Sequence, residues 1–440
     1  MAAPNPQHPQ QHRHKFAEQS VGLFWCQLDL AAIGSGCKIT GASMSTIDKY
    51  QQQLLEQTKS IYRDTPISAA TQQAYLATPR HLFVNRYREW GIKKWQEIDR
   101  DNLAEYLPTL YTDKPLILFG DDDGDIPSTI SQPSFVLRML DMLQIKPGQT
   151  IFELGAGSGW NAALMGHLVG SEGHVYSLEI IPEVARTATA IIDKLEIQNV
   201  SIIAGDAGDD YGSDLQYDRA IFTAGAYDLP VHFHRQIKEG GLLLIVIKNP
   251  GGGDNLFLLQ KTANCFESID SMACGFVRLK GKYEFESLEP ASIETLPEWE
   301  VLQHQEVARK SFWWGGKGHN SSWFTTGIRA FLNISDPYFR ALKTEKIADR
   351  SRAGRYFGLW QPEHNSLVIA KDDLLIAYGN QVAFDRLLQK VKEWVDLGMP
   401  SAASFKLQVY PIYFPLQAGR NQWIVKRQDS QFLWSLPTDI

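Results

Sequence analysis

Short apolar runs alternate with longer amphipathic segments between residues 150 and 250. Five runs have the length of strands: residues 150–153, 173–179, 200–207, 217–224 and 241–247. The last run is almost wholly apolar, as in a strand buried on both faces. Residues 160–168 and 182–195 have the pattern of helices, with Pro182 near a first-turn position. This alternation predicts an α/β fold with an open, mostly parallel sheet.

The first of these runs leads into a glycine-rich turn that contains a candidate ligand site. Glu153 is followed by Gly155, Gly157 and Gly159 at alternate positions, and a helix pattern begins at Trp160. Glycine alone lets a ligand lie directly on the backbone at such a turn. In dinucleotide-binding folds a phosphate approaches here, and a carboxylate repels phosphate but attracts a cation. S-adenosylmethionine carries a sulfonium and an ammonium group and no phosphate, so the local charge favours this cofactor over NAD.

Acids at the ends of the next two strands fit the same cofactor. Glu179 is placed to accept hydrogen bonds from both ribose hydroxyls, and Asp206 from the adenine amino group. Taken alone, each of these acids, and Asp218, is about as often a helix cap or a solvated loop residue. Their places on consecutive strand ends favour one shared site. The predicted cofactor-binding residues are Glu153, Gly155, Ala156, Gly157, Gly159, Glu179, Ile180, Gly205, Asp206, Ala207 and Thr223.

A second informative pattern lies upstream of the glycine turn. Residues 129–133 have the sequence Thr-Ile-Ser-Gln-Pro, and an apolar helix pattern follows at 135–143. Together with residues 78–84 and 217–226, this stretch resembles the protein-L-isoaspartate (D-aspartate) O-methyltransferase family. The resemblance extends over roughly residues 50–260, and its paired motifs are specific.

The resemblance implies a Rossmann-like class I methyltransferase that uses S-adenosylmethionine to esterify an L-isoaspartyl or D-aspartyl carboxylate, a protein repair reaction. It makes Ser131 the candidate catalytic residue, with Thr129 as its neighbour; the hydroxyl would hold one carboxylate oxygen while the other faces the methyl group. A carboxylate is already ionised at neutral pH, so no general base is needed. Catalysis then depends on positioning and partial desolvation. By residue type alone, Ser131 is more commonly a helix N-cap.

Gln132, Pro133 and His81 are the candidate substrate contacts. For His81 and its neighbour Arg80, a surface salt bridge or a helix cap is the more common role. No metal ligand set is predicted. Residues 119–128 form an insert with four acids in place of the short Gly-x-Gly-Gln stretch of the family. The insert lacks the twelve-position calcium frame, so a solvated loop is expected.

The 440 residues give room for two or three domains. Residues 4–14 are polar, aperiodic and contain three prolines, so residues 1–43 are expected to be a disordered or spurious extension. The family-like part begins at Met44, which suggests a translation start there rather than at Met1. Residues 44–285 are expected to form the methyltransferase domain and residues 286–440 a smaller α+β accessory domain. Similar C-terminal domains accompany branch members of the family that esterify aspartates in ribosomally made peptides.

Composition narrows the possible partners and the cellular compartment of the protein. Charged residues make up 21% and hydrophobic ones 44%, enough for a sizeable core. The net charge of −7, without a basic run, disfavours a nucleic-acid partner. Four cysteines without a CxxC pair suit a reducing compartment. The mostly apolar stretch at residues 21–34 is too short for a membrane span, and Gln27 and Asp29 interrupt it. We therefore expect a cytoplasmic monomer that acts on an aspartyl-containing protein or peptide.

Three classes of function remain open from the sequence. The first is the carboxyl methyltransferase, for general repair or for tailoring a ribosomally synthesised peptide; the acidic insert and the extra domain give some weight to the second use. The next class is a methyltransferase for RNA or small amines. It is disfavoured by the charge and by residues 223–226, where amino-methylating enzymes tend to have an Asn/Asp-Pro-Pro-aromatic clamp. The last class, a non-catalytic binding protein, is hard to reconcile with the complete set of glycines and acids.

Overall fold

The computed structural model describes residues 45–120, 128–211, 214–249, 254–285, 290–311, 322–343, 355–371 and 374–437. The N-terminal extension, the expected start at Met44 and most of the acidic insert lie outside these residues. The helices are α1 (Thr46–Ile61), α2 (Ala69–Ala77), α3 (Leu103–Leu110), α4 (Pro133–Met142), α5 (Trp160–Val169), α6 (Pro182–Lys194), α7 (Phe233–Gln236), α8 (Trp299–Leu302), α9 (Ser322–Ser335) and α10 (Val382–Asp396).

The strands of the first two thirds of the chain are β1 (Arg86–Tyr87), β2 (Gln96–Glu97), β3 (Leu116–Phe119), β4 (Ser128–Ile130), β5 (Thr150–Leu154), β6 (His174–Glu179), β7 (Val200–Ala204), β8 (Tyr217–Phe222), β9 (Ile237–Ile247), β10 (Asp254–Lys261) and β11 (Phe266–Cys274). Those that follow are β12 (Ala291–Ser292), β13 (Glu306–Ser311), β14 (Phe339–Lys343), β15 (Arg355–Gln361), β16 (Ser366–Lys371), β17 (Leu374–Tyr378), β18 (Lys406–Pro411), β19 (Gln422–Lys426) and β20 (Ser430–Ser435).

The largest sheet has ten strands in the order β19-β20-β18-β11-β10-β9-β8-β5-β6-β7. Strands β5 to β9 run parallel, which confirms the predicted α/β class. The fifth parallel strand begins at Ile237, four residues before the predicted start. Gly240, at φ +75°, lets the strand bulge there rather than end. The chain moves from β5 to β6 on one side and later to β8 on the other, so a crevice forms at the carboxyl end of β5.

The C-terminal part contributes to two sheets. A six-stranded sheet has the order β12-β14-β15-β16-β17-β13, and α10 packs on it. The last three strands instead return to the central sheet, where β18 pairs antiparallel with β11. The central sheet thus takes strands from both of the predicted domains, residues 44–285 and 286–440. Their division into two domains stays a prediction.

Apolar side chains from both parts share one core. Phe152 and Phe222 of the central sheet belong to the same buried cluster as Phe384 and Trp394 of α10 and Phe432 of β20. A second cluster on the opposite face of the sheet packs α1, α2, α4 and α5 against it. Within the described ranges, no helix is both long enough and apolar enough to cross a membrane.

Candidate active site

A cleft with about 860 Å³ of open space lies at the carboxyl ends of the parallel strands. Its walls are the glycine turn after β5, the ends of β6, β7 and β8, strand β4, and a segment that follows β11. The predicted residues that line it are Thr129, Ser131, Glu153, Gly155, Ala156, Gly157, Glu179, Ile180, Gly205, Ala207 and Thr223. The structure therefore brings both predicted catalytic residues to the predicted cofactor site.

The three glycines of the turn have different roles. All have positive φ, at +94° for Gly155, +54° for Gly157 and +81° for Gly159. A Cβ on Gly155 would lie 2.5 Å from Oγ1 of Thr223, and one on Gly157 would lie 3.3 Å from the carbonyl oxygen of Thr129. Side chains at these two positions would therefore crowd the walls of the cleft. Gly159 lies outside the cleft and packs α5 closely against α6.

Glu153 is fully buried at the base of the cleft. Its carboxylate accepts hydrogen bonds from Nδ2 of Asn161 and from Oγ of Ser177, both at 2.5 Å. Burial raises the pKa of Glu153 to about 7, although these two hydrogen bonds oppose the shift. The charge of this carboxylate at neutral pH therefore depends on whether a cation lies nearby.

Two polar atoms in the walls were missed by the sequence analysis. Oδ1 of Asn161 and Oγ of Ser128 are both buried in residues that line the cleft. Neither makes a hydrogen bond within the part of the chain that the structure describes. Buried polar atoms are usually paired, so these two are candidates for ligand contacts. The proximity of Asn161 to Glu153 in a helix-start position was a signal that could have indicated the first of them.

Glu179, the last residue of β6, forms the adjacent part of the cleft wall. Its Oε2 accepts from the backbone N–H of Gly157 at 2.9 Å, and its Oε1 accepts from that of Ile181 at 3.0 Å. Burial raises the pKa of Glu179, and these backbone hydrogen bonds oppose that shift. Each oxygen keeps a further lone pair, which is what two ribose hydroxyls would require.

Asp206 lies at the end of β7, as predicted, but does not line the cleft. Its carboxylate accepts from the backbone N–H groups of Gly208 at 2.7 Å and Lys282 at 2.8 Å. Its observed contacts are thus with the chain itself. The adenine contact remains a prediction, while the neighbouring Gly205 and Ala207 do line the cleft.

The helix N-cap interpretation of Ser131 is wrong. The N-cap residue of α4 is Gln132, and its side chain makes no capping hydrogen bond. The carboxylate of Asp113 instead accepts from the backbone N–H of Ser134 at 2.8 Å and from its hydroxyl at 2.7 Å. This distant cap leaves the Ser131 side chain without a capping role. Gln132 donates to Asp113 at 2.9 Å, and it and Pro133 lie outside the cleft.

Within the described residues, neither Arg80 nor His81 forms a surface salt bridge, but Arg80 bonds the carbonyl of Leu110, the last residue of α3, as a helix cap does. Arg80 has no exposed surface, and its guanidinium donates to the carbonyl oxygens of Leu110, Lys114 and Ser131 at 2.6, 2.9 and 3.1 Å. His81 lies outside the cleft; its Nδ1 is 2.7 Å from the hydroxyl of Tyr111, and burial lowers its pKa to about 4. Arg80 therefore fixes the backbone of Ser131, which no local sequence pattern indicated.

A segment after β11 forms one wall of the cleft, and no motif in the sequence indicated it. We call residues 276–283 the cleft strip. Gly225, just beyond β8, donates to the carbonyl of Val277 at 2.8 Å and accepts from the N–H of Leu279 at 2.9 Å. Arg278 and Lys280 are in the lining of the cleft. The apolar residues of this segment lie between Gly275 and Gly281, a pattern that could have indicated a packed crossing segment.

The described residues contain no group of three or more His, Cys, Asp or Glu side chains arranged to hold a metal ion.

The strand order, the glycine turn after the central strand and the acids that follow it define a Rossmann-like class I methyltransferase, the class that uses S-adenosylmethionine.

Within that class, the chain belongs to the protein-L-isoaspartate (D-aspartate) O-methyltransferase family. The family described as protein-L-isoaspartate(D-aspartate) O-methyltransferase (PCMT) matches residues 88–284. The protein-L-isoaspartate O-methyltransferase of Methanothrix thermoacetophila is 37% identical over 220 residues, which cover 91% of that protein and 50% of this chain. Protein-L-isoaspartate O-methyltransferase 2 of Archaeoglobus fulgidus is 30% identical over 246 residues, covering 97% of that protein and 55% of this chain.

The similarity in fold extends further than the similarity in sequence. A solved structure of a protein-L-isoaspartate O-methyltransferase has a TM-score of 0.50 and 21% identity, and the match covers 83% of this chain and 98% of that one. The matched 83% of this chain is more than residues 44–285 contain. The matched fold therefore includes elements of the C-terminal part.

Proposed function

We propose that this protein transfers the methyl group of S-adenosylmethionine to the carboxylate of an L-isoaspartyl or D-aspartyl residue in proteins or peptides. The observation that carries the proposal is the placement of Ser131 in the same cleft as the glycine turn, with its backbone held by Arg80 and the helix cap supplied by Asp113. The hydroxyl is thereby available to an acceptor. The relatives named above support the choice of acceptor.

The polar groups of the cleft support one orientation of the cofactor. Adenosine belongs at the ends of β6 and β7, where Glu179 can accept from the ribose. The methionyl end belongs beside Glu153, because its ammonium requires acceptors and a negative charge. Oδ1 of Asn161 is such an acceptor, and the buried hydroxyl of Ser128 can donate to the methionyl carboxylate. The sulfonium would then lie between these ends.

The reaction is an in-line displacement. One carboxylate oxygen of the acceptor forms a bond to the methyl carbon while the carbon–sulfur bond breaks, and its electron pair stays on sulfur. S-adenosylhomocysteine and a methyl ester result, and no proton moves. The residues of this chain orient the acceptor: the Ser131 hydroxyl donates to the oxygen that does not attack. Arg278 and Lys280 lie in the cleft lining, where Lys280 pairs with Glu284 at 3.1 Å. The main contribution of the walls is to position the acceptor.

The test is transfer of labelled methyl groups to a peptide with one L-isoaspartyl residue, compared with the same peptide containing L-aspartate, with tRNA and with small amines. We expect base-labile label on the isoaspartyl peptide alone. Ser131→Ala should lower kcat by about 10- to 100-fold without weakening cofactor binding, since one oriented donor is lost.

Ser134→Ala is the matched control, because it removes a buried hydroxyl that bonds to Asp113 outside the cleft. It should keep kcat within about threefold of the unaltered protein. Cofactor binding without methylation of any isoaspartyl peptide would contradict the proposed acceptor. Label on one L-aspartyl peptide, dependent on its sequence, would favour the tailoring of a dedicated peptide.

A further inference from the structure

The turn between β19 and β20 is distant in sequence from the cleft but packs beside it. The guanidinium of Arg427 lies over the ring of Tyr227, 4.2 Å from its centroid, and over that of Phe432 at 3.8 Å. Asp429, two residues further along, donates its backbone N–H to the carboxylate of Asp228 at 2.7 Å. The turn therefore holds the loop that follows β8.

The side chain of Asp429 extends this contact to the cleft strip. One oxygen of its carboxylate accepts from the backbone N–H of Val231 at 3.0 Å and from the hydroxyl of Tyr283. Burial and the Asp429 carboxylate both raise the pKa of Tyr283, so its phenol remains protonated and donates. A hydrogen bond to a carboxylate is stronger than one between neutral groups.

Both anchored segments adjoin walls of the cleft, although Tyr227 and Tyr283 are not themselves in its lining. Tyr283 follows Lys280, which is in the lining, by three residues, and Tyr227 follows Ala224, also in the lining, by three. The cleft strip has several other anchors. The backbone of Gly225 pairs with its middle, Asp254 and Lys248 bond to the backbone of Phe276 at its start, and Asp206 and Asp209 accept from Lys282 near its end. Asp429 supplies a further anchor at the C-terminal end of the strip, through the side chain of Tyr283.

We propose that the turn of residues 427–429 is a positioning element of the cofactor site, in which Asp429 acts through Tyr283 to hold the cleft strip against the bound cofactor. The proposal depends on the proposed function only for the identity of the cofactor. Asp429 itself touches neither cofactor nor acceptor. The last strands of the chain would thus serve cofactor affinity as well as the sheet.

The test compares Tyr283→Phe and Asp429→Asn with the unaltered full-length protein. The first variant removes only the hydroxyl that donates to Asp429. We expect the Kd for S-adenosylhomocysteine, measured by calorimetry, to rise about five- to tenfold in each variant, since a hydrogen bond to a charged group is lost. The KM for the methyl donor should rise in parallel, while kcat at saturating donor stays within about twofold. Amide exchange at Leu279 and Lys282 should accelerate.

Asp336→Asn is the matched control. Asp336 is a buried aspartate whose carboxylate accepts from the backbone N–H of Tyr338 at 3.0 Å and from Nε of Arg386 at 2.6 Å, within the C-terminal part and away from the cleft. It should lower the melting temperature without changing the Kd or exchange in the strip. Unchanged Kd and exchange in Tyr283→Phe, or equal changes in Asp336→Asn, would overturn the proposal.

The Kd for S-adenosylhomocysteine and the amide exchange need no acceptor, unlike the KM and kcat. Failure of the proposed acceptor chemistry would therefore leave that Kd and the exchange intact. If the unaltered protein did not bind S-adenosylhomocysteine at all, the proposed function itself would fail.

Discussion

Glu153 is the residue of the cleft whose charge should change when the cofactor binds. Its carboxylate is fully buried and its pKa lies at about 7, with burial as the main cause. The ammonium and sulfonium of the cofactor favour the ionised form, so binding should lower this pKa and release a proton near neutral pH. A carboxylate with a fixed charge at this position would not couple binding to pH.

We expect the Kd for S-adenosylhomocysteine to rise about tenfold from about pH 8 to about pH 6. Below the pKa of Glu153, the proton must leave before the ligand ammonium binds well, so affinity falls as the pH is lowered. Calorimetry across this range measures the effect. Glu153→Gln should bind more weakly and lose the dependence. A constant Kd in the unaltered protein would show that Glu153 does not respond to the ligand.

Asn161 provides a prediction that separates the two ends of the cofactor. Asn161→Ala removes the unpaired Oδ1 and should weaken binding of S-adenosylhomocysteine about tenfold, because a hydrogen bond to a charged group is lost. Binding of 5′-methylthioadenosine, which lacks the amino-acid end, should change less than about twofold. Asn199→Ala is the control, since that amide donates to the carbonyl groups of Gly166 and Gly170 outside the cleft. Equal weakening of both ligands by Asn161→Ala would contradict the assignment.

At the scale of elements, the part of the site on parallel strands was predictable. Buried strands such as β5 and β6 have local apolar patterns, and the glycine turn joins β5 to the next helix within a few residues. The cleft strip was not predictable in this way, because its anchors are long-range: the N–H of Lys282 binds Asp206, 76 residues earlier. Tyr283 and Asp429 are 146 residues apart. The buried position of Arg80 was not predictable for the same reason, since its carbonyl partners lie 30 to 51 residues away.

Arg80 connects three elements, and its loss should be strongly destabilising. Arg80→Met keeps much of the volume but leaves the carbonyl oxygens of Leu110, Lys114 and Ser131 without this donor. We expect the free energy of unfolding to fall by about 3 kcal/mol or more, measured by urea denaturation, since each buried unpaired group costs about 1–3 kcal/mol. Arg86→Ala, which removes an exposed partner of Glu97, should cost less than about 1 kcal/mol. Similar losses for both variants would contradict this role.

At the scale of the whole molecule, the sequence predicted the two kinds of architecture but not how they join. Residues 286–440 were expected to form a smaller α+β region, and the structure has strands β16 and β17 and helix α10 in this range. Pairing partners cannot be read from one strand alone, since any strand edge offers the same backbone groups. Strand β18 therefore gave no indication that it pairs with β11 of the central sheet.

We expect this pairing to make the two parts of the chain unfold as one cooperative unit, although the chain exceeds the usual size of a two-state domain. Phe266 of β11 is fully buried and pairs with Val409, and the core cluster around it includes Phe405 and Phe432. We expect a single calorimetric transition that coincides with the loss of tryptophan fluorescence and of far-UV circular dichroism. Two separated transitions would show that the parts unfold independently.

A truncated chain that ends at residue 285 is a second test of whether the two parts of the protein depend on each other for folding. It lacks β18 and β20, so the edge of β11 and the apolar face around Phe266 meet water. We expect this fragment to aggregate or unfold where the full chain is folded, although its relatives are about this length. A chain ending at residue 437 is the control and should fold normally, because it keeps all three returning strands. A soluble fragment that binds S-adenosylhomocysteine as tightly as the full chain would contradict both the shared core and the positioning role of the turn.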